Sequence, residues 1–168
     1  EIRIRDWSSD VCSSDLTLVD LSDLVDEAVQ RATDALAVIA AYDGTGGTTT
    51  PTEQTYRDAG VDGVTADNLI AVQTVVAALP PSETDTAAEV QALVGAYAKV
   101  LEAADGARGN DGGQLPTAAD YKALGLGQVD SGAEVALLGD VLDGKAREDV
   151  DTAAELKALA DAVVAVMR

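Results

Sequence analysis

Carboxylates are the chemically versatile side chains that this chain carries in quantity, since it has 30 Asp and Glu residues, no His and one Cys. Paired carboxylates can act as general acid and base, but the commonest general base and metal ligand, His, is missing. Glu89 and Glu155 stand at the end of a repeated segment, DTAAE, three residues after Thr86 and Thr152. In this capping-box spacing the hydroxyl binds the helix N-terminus and the carboxylate binds the cap N–H. We therefore predict helix caps here and no acid–base catalysis.

A Gly-rich stretch at 106–113, GARGNDGG, could bind a cation. Asn110 and Asp111 offer the oxygen ligands that calcium prefers, and the stretch resembles the calcium-binding nonapeptide of RTX proteins. It lacks that nonapeptide's second Gly and the following large apolar residue, and there is one copy where a β-roll needs several. Asn110 and Asp111 are thus a weak calcium candidate beside the simpler interpretation, a flexible linker. We expect no other metal site and no cofactor.

Two further features have a functional and a structural interpretation. Acidic residues cluster at 20–27 and 148–151, where they could attract cations, although such runs are usually solvated faces. Tyr56 and Tyr121 could be exposed binding anchors. Because each stands four residues before a Gly, at Gly60 and Gly125, we expect both side chains to pack in the core.

Charge and hydropathy exclude several classes of partner. With 11 Lys and Arg residues the formal net charge is −19, so the chain should repel nucleic acid and anionic membrane surfaces. No apolar run approaches the roughly 20 residues that span a bilayer, so we expect no membrane insertion. No nucleophile–base pair can be assembled from these residue types, and we predict that the chain is not an enzyme.

The first sixteen residues differ in composition from the rest. They hold Trp7 and Cys12, the single Trp and Cys of the chain, and residues 6–16, DWSSDVCSSDL, resemble a translated sequencing adapter. We interpret residues 1–16 as an artefact without fixed structure. The alternative, a reactive or disulfide-forming Cys12, has little support from a lone Cys in a Ser-rich terminus.

Apolar spacing of three and four residues predicts an all-α fold. The segment after residue 16 reads as the last helix of a truncated preceding repeat. Two units of one pattern follow, each with a short Tyr-bearing helix, a Gly turn, a second helix and a long capped helix. The predicted architecture is an orphan helix followed by two tandem three-helix bundles joined by Gly/Thr-rich linkers. The boundaries are 17–44 for the orphan helix, 45–50 for a linker, 51–106 for repeat 1, 107–115 for a second linker and 116–168 for repeat 2.

The helix starts and inward faces follow from the same pattern. Ser131 and Glu134 form a third predicted capping box, and Thr117 with Asp120 has the same spacing. The segment 65–68, TADN, is expected to cap the middle helix of repeat 1. In the last helix the predicted inward residues are Leu156, Leu159, Val163, Val166 and Met167.

The order Tyr, Gly-Val, Asn-Leu-Ile and Thr-x-x-x-Val-x-Ala-Leu in Tyr56–Leu93 resembles the latter part of bacterial GA modules, which are three-helix albumin-binding domains. The acidic Ala/Val/Thr repeats also resemble the tandem regions of very large bacterial surface or secreted proteins, including adhesins. This resemblance implies a spacer or stalk on the cell surface or outside the cell, in contact with neighbouring repeats of the same chain. The alternative is a protein-binding module that captures a host or partner protein on a helix face.

Overall fold

The computed structural model of the chain describes residues 18–107 and 114–168. Over these residues it contains seven α-helices and no strand, which confirms the all-α class. Short 3₁₀ turns at Pro81–Glu83 and Arg147–Asp149 precede the last helix of each repeat. The helices are α1 Leu18–Ala41, α2 Glu53–Asp58, α3 Leu69–Ala78, α4 Ala87–Ala103, α5 Ala118–Ala123, α6 Gly132–Asp143 and α7 Ala153–Met167. The calcium candidates Asn110 and Asp111, and the predicted artefact at 1–16, lie outside the described residues.

The long helices α1 and α4 end in the same Asp-Gly turn. The Asp43 carboxylate accepts a hydrogen bond from the Thr45 backbone N–H at 2.9 Å, and Asp105 accepts one from Ala107 at 2.8 Å. A side chain that binds the backbone two residues ahead stabilises a turn and competes with further helix. The segment predicted as the orphan helix extends to residue 44, whereas α1 ends at Ala41, directly before this turn.

The start of α3 differs from the predicted cap. Asn68 occupies the N-cap position but makes no side-chain cap hydrogen bond. Its amide instead donates to the Gly63 carbonyl and accepts from the Thr65 N–H, both at 2.8 Å. The prediction that segment 65–68 caps α3 is therefore wrong in its chemistry, because the Asn side chain closes the preceding loop.

Helix packing joins the whole described chain. Helix α1 packs on α2, α4 packs on α5, and α6 packs on α7. Helix α4 also contacts α3 and α6, and α7 contacts α3 of the first repeat. Buried side chains from these helices form one core cluster. Its largest fully buried members are Tyr56, Tyr97, Tyr121, Ile39, Leu93, Leu138, Leu142 and Leu156.

Two helix ends leave apolar side chains uncovered. On α7 the predicted inward residues Leu156 and Val163 are buried and Leu159 is half-buried, but Val166 is 78% exposed and Met167 is 45% exposed. The prediction that these last two point into the core is wrong, because no described element covers that end of the helix. The first half of α1 likewise exposes apolar residues, namely Leu21, Leu24, Val25 and Val29.

Candidate functional site

The carboxylates of the described chain do not assemble into a cluster that could hold a metal ion. Within residues 18–107 and 114–168, no three His, Cys, Asp or Glu side chains lie close enough together to hold a metal ion. Over the same residues, no helix is both long and apolar enough to cross a membrane. The surfaces that the fold does build with repeated geometry are the contacts between one unit and the next.

The three predicted capping pairs are each engaged at a helix start. The N–H groups of Glu89, Glu134 and Glu155 donate to the cap hydroxyls at 3.3, 3.2 and 3.3 Å. The carboxylates in turn accept from the cap N–H groups at 3.2, 3.1 and 3.2 Å. The cap residues that complete these pairs are Thr86, Ser131 and Thr152.

These hydrogen bonds keep two of the carboxylates ionised. Those from Thr86 lower the pKa of Glu89, and those from Ser131 lower the pKa of Glu134. A general acid at neutral pH needs the opposite shift. The geometry thus suits helix capping and is unsuited to proton donation.

Two more capping boxes begin the short helices. Thr117 pairs with Asp120, whose backbone N–H donates to the Thr hydroxyl at 3.3 Å. Thr52 pairs with Thr55 in the same way, with the cap N–H donating to the Thr55 hydroxyl at 3.0 Å. The sequence pattern missed this last pair because Glu or Gln is the usual residue at the third position, although Thr also offers an acceptor.

We call the contact of α4 with α5 junction 2. Lys99 on α4 donates to both carboxylate oxygens of Asp120 on α5, at 2.7 and 2.9 Å. On the helix surface Lys99 is flanked by Ala96 and Ala103, three and four residues away, and both are buried. Val100, which completes this stripe, has no exposed surface. These residues identify the side of α4 that the short helix covers.

Asp120 has two structural roles at junction 2. Burial acts to raise the pKa of its carboxyl, but hydrogen bonds from Lys99 and Thr117 outweigh that effect, and the pKa is lowered. The carboxylate therefore caps its own helix and binds the preceding one at the same time.

We call the contact of α1 with α2 junction 1. It follows the register of junction 2 without the ion pair. Val38 and Ala35 on α1 line one groove with Thr55 on α2, and Ile39 beside them has no exposed surface. Aligned by their buried positions, Ala35 corresponds to Ala96 and Ile39 to Val100, which places Val38 where Lys99 stands. In this alignment the Asp-Gly turn comes one residue later after α4 than after α1. Thr55 correspondingly takes the place of Asp120.

The repeated tyrosines are core residues. Tyr56 and Tyr121 have no exposed surface, which confirms the prediction of core packing over that of exposed anchors. Neither hydroxyl has a hydrogen-bond partner among the described residues. Burial raises the pKa of both phenols, with a smaller contribution from Tyr42 for the first and Asp120 for the second.

Besides the two hydrogen bonds from Lys99 to Asp120, three more join the first repeat to the second. The Tyr97 hydroxyl on α4 donates to the Val150 carbonyl, and the Ala153 N–H at the start of α7 donates to the Thr74 hydroxyl on α3 at 3.0 Å. The Gly106 N–H after α4 donates to the Lys145 carbonyl after α6 at 2.8 Å. No local sequence signal pointed to these bonds, because each joins residues far apart in the chain.

One groove of the described surface also lies between the repeats. It is lined on one side by the end of α3 and the start of α4, with Leu79, Pro80 and Glu89 among them, and on the other by Lys122 and Gly125. The Glu89 carboxylate in this groove accepts a hydrogen bond from the Thr86 N–H and so also serves as a helix cap. The position of the groove makes it part of the boundary between units.

No protein-family model, curated protein or solved structure compared with this chain matches it.

Proposed function

We propose that this chain is a structural spacer made of tandem helical repeats, without catalysis. The observation that carries the proposal is the repeated junction, in which a long helix receives the short Tyr-bearing helix of the following unit in one register. Helix α1 relates to α2 as α4 relates to α5, so α1 is best explained as the closing helix of a preceding unit. Two three-helix units then follow it, at 51–106 and 116–168.

Three properties of the chain support a spacer role. The side chains shared by the two repeats are caps, core residues and turn glycines, which serve folding. The hydrogen bonds from Tyr97 and Ala153 and a common core join the units, which supports a fixed relative orientation. A net charge of −19 keeps such an array soluble and separated from its neighbours.

The resemblance to repeat regions of large bacterial surface and secreted proteins extends the proposal to location. We expect the repeats to hold an adhesive or enzymatic tip away from a bacterial cell. An antibody raised against the chain should then label intact, unpermeabilised source cells, and labelling that requires permeabilisation would contradict the location.

A distance measurement between the ends of the described chain tests the spacer directly. In a Cys12→Ser background, spin labels at the exposed positions Ala37 and Ala158 should give one narrow distribution by double electron–electron resonance. Labels at Asp26 and Ala37, both on α1, supply the width expected for a rigid element. A broad or multimodal distribution for the long pair would mean that the units swing independently, and the spacer proposal would fail.

One observation favours the alternative of a protein-binding module. The first half of α1 exposes a stripe of Leu21, Leu24, Val25 and Val29, and exposed apolar patches often mark interaction sites. Serum albumin is a convenient probe; the resemblance to GA modules covers Tyr56–Leu93 and places none of that family's albumin contacts on α1. Calorimetric binding of albumin that disappears in Leu24→Asp, and persists in the solvent-face control Ala37→Asp, would favour the module over the spacer.

A further inference from the structure

The long helices of the two repeats align residue by residue, and one stripe differs between them. When the two DTAAE segments are aligned, Ala96, Lys99 and Val100 of α4 correspond to Ala162, Ala165 and Val166 of α7. On α4 this stripe lies at junction 2, where Val100 is fully buried. On α7 the same three positions are exposed.

The stripe is covered wherever a following unit is present. At junction 1 the short helix α2 packs on α1, where Ile39 is fully buried, and at junction 2 Lys99 of α4 binds Asp120 of the short helix α5. Two independent copies thus show the same occupant on the same side of the long helix. Val166 stands at the position of Ile39 and Val100, so its exposure marks a contact surface that has no partner in the described residues.

We propose that the stripe Ala162, Ala165 and Val166 of α7 is the docking surface for the short Tyr-bearing helix of a further repeat unit joined in tandem. A folded second copy of the chain cannot supply this helix, because its α2 is already covered by α1 and its α5 by α4. In a further unit joined in tandem, the short helix has no preceding long helix of its own, so its surface is free to pack on α7.

The residue at the Lys99 position refines the choice of occupant. Helix α7 has Ala165 there, and α1 has Val38, so neither can form an ion pair at that point. Val38 lies beside the uncharged Thr55, whereas Lys99 binds Asp120. The short helix that docks on α7 should therefore be held by apolar packing, without the ion pair of junction 2.

Adding one unit to the chain tests the proposal. Arg168 aligns with Glu102. A copy of residues 103–168 appended after Arg168 therefore gives α7 the same following sequence that α4 has. In the parent chain, Val166→Asp should change the unfolding equilibrium constant by less than about threefold, since the side chain is exposed. In the extended chain the same substitution should change it by more than about 30-fold, because it buries an unpaired charge.

Ala158→Asp is the matched control. Ala158 aligns with Ala92, and both are exposed, so this substitution adds the same charge to α7 on a face that remains in solvent. It should have a small effect in both proteins. Amide hydrogen exchange gives a second readout that needs no substitution: the amides of residues 162–167 should exchange more slowly in the extended chain than in the parent.

A gain of stability provides a test that does not depend on damaging the core. The appended unit carries a copy of Asp120, so Ala165→Lys in the extended chain should recreate the ion pair of junction 2 and lower the unfolding equilibrium constant about two- to fivefold. In the parent chain the substitution should have no such effect. The parent chain with Ala165→Lys thus controls for the general effect of adding a positive charge to an acidic protein.

Three results would overturn the proposal. The first is an equal, small effect of Val166→Asp in both proteins, and the second is an appended unit that unfolds in a transition of its own with no change in exchange at 162–167. The third is concentration-dependent association of the parent chain that Val166→Asp abolishes, since this would assign the stripe to a second copy. The inference rests on the tandem arrangement in the proposed function. A failed docking test would not change the spin-label distance between α1 and α7, so the docking proposal and the spacer proposal can fail separately.

Discussion

The two junctions of this molecule share a burial pattern and differ in their polar contacts. Both bury a small residue and a β-branched residue of the long helix, Ala35 with Ile39 in one case and Ala96 with Val100 in the other. Junction 2 adds the pair of Lys99 and Asp120, whereas junction 1 has Val38 and Thr55 in those places. The difference indicates that apolar packing fixes the register of the contact and that the ion pair is an addition to it.

The largest expected losses of stability come from placing a charge in the buried part of each junction, and they should differ in how much of the chain unfolds. Val100→Asp should destabilise the whole described fold by at least about 3 kcal/mol, because it buries an unpaired charge in a helix that contacts α3, α5 and α6. Ile39→Asp should instead release α1, which packs mainly against α2 and the 3₁₀ turn, and leave α3–α7 folded. Hydrogen exchange with mass spectrometry distinguishes the outcomes, since α7 amides should lose protection in the first variant alone. Equal loss across the chain in both variants would show that the junctions are energetically equivalent.

The turn glycines should give the next largest difference. Gly60 and Gly125 have φ of +77° and +75°, a conformation that costs an Ala residue about 1–2 kcal/mol. A Cβ on Gly125 would also lie 2.8 Å from a methyl of Leu79 in the first repeat, whereas a Cβ on Gly60 would meet no atom within 4 Å. Gly125→Ala should therefore destabilise more than Gly60→Ala in urea unfolding, by about 1 kcal/mol or more of packing strain. Equal values would mean that the Leu79 side chain moves aside without cost.

Removing a tyrosine hydroxyl should change stability according to whether that hydroxyl has a hydrogen-bond partner. Tyr97→Phe removes the hydrogen bond to the Val150 carbonyl and should cost about 1 kcal/mol. Tyr56→Phe and Tyr121→Phe remove buried hydroxyls without a described partner, so they should be neutral or stabilising by up to about 1 kcal/mol. Thermal unfolding of the three variants gives the comparison. A loss of stability in Tyr121→Phe as large as that in Tyr97→Phe would contradict it.

The ion pair should give the smallest effect, and one that depends on pH. A double-mutant cycle with Lys99→Met and Asp120→Asn should show a coupling free energy of up to about 1 kcal/mol, because Lys99 is partly exposed to solvent. The folded-state pKa of Asp120 is lowered from the ordinary 3.8, so its contribution is present above pH 3.8 and is lost as the pH falls through the lower folded value. Lys99→Met should thus lose more stability at pH 6 than at pH 2.5. A cost that does not vary with pH would assign the role of Lys99 to its aliphatic stem.

Local signals made much of this fold predictable. Thr86 with Glu89 and Thr152 with Glu155 identified helix starts, and the repeated place of Tyr56 and Tyr121 identified core positions. These features are readable because each depends on residues within one helical turn of one another. The Thr52–Thr55 box and the Asn68 loop contact were missed because their side chains use less common variants of the same chemistry.

Contacts between units could not be read from the chain. Tyr97 and Val150, or Thr74 and Ala153, are brought together by the packing of several helices, and no spacing rule connects them. Val166 and Met167, which were predicted to be buried and are exposed, show that contacts between units cannot be predicted from local sequence. Their period identifies an apolar face correctly, but periodicity cannot tell whether a partner is present to cover that face.

The junctions also have a consequence for the order in which this protein emerges from the ribosome. Helix α4 is complete before α5 has been translated, so the stripe around Val100 stays bare while the following linker and short helix are made. At the usual rate of about 5–20 residues per second, this interval lasts on the order of a few seconds. Each nascent unit would thus pass through an intermediate with one apolar stripe open to water. The flanking carboxylates of an acidic chain would keep neighbouring nascent chains apart during that interval.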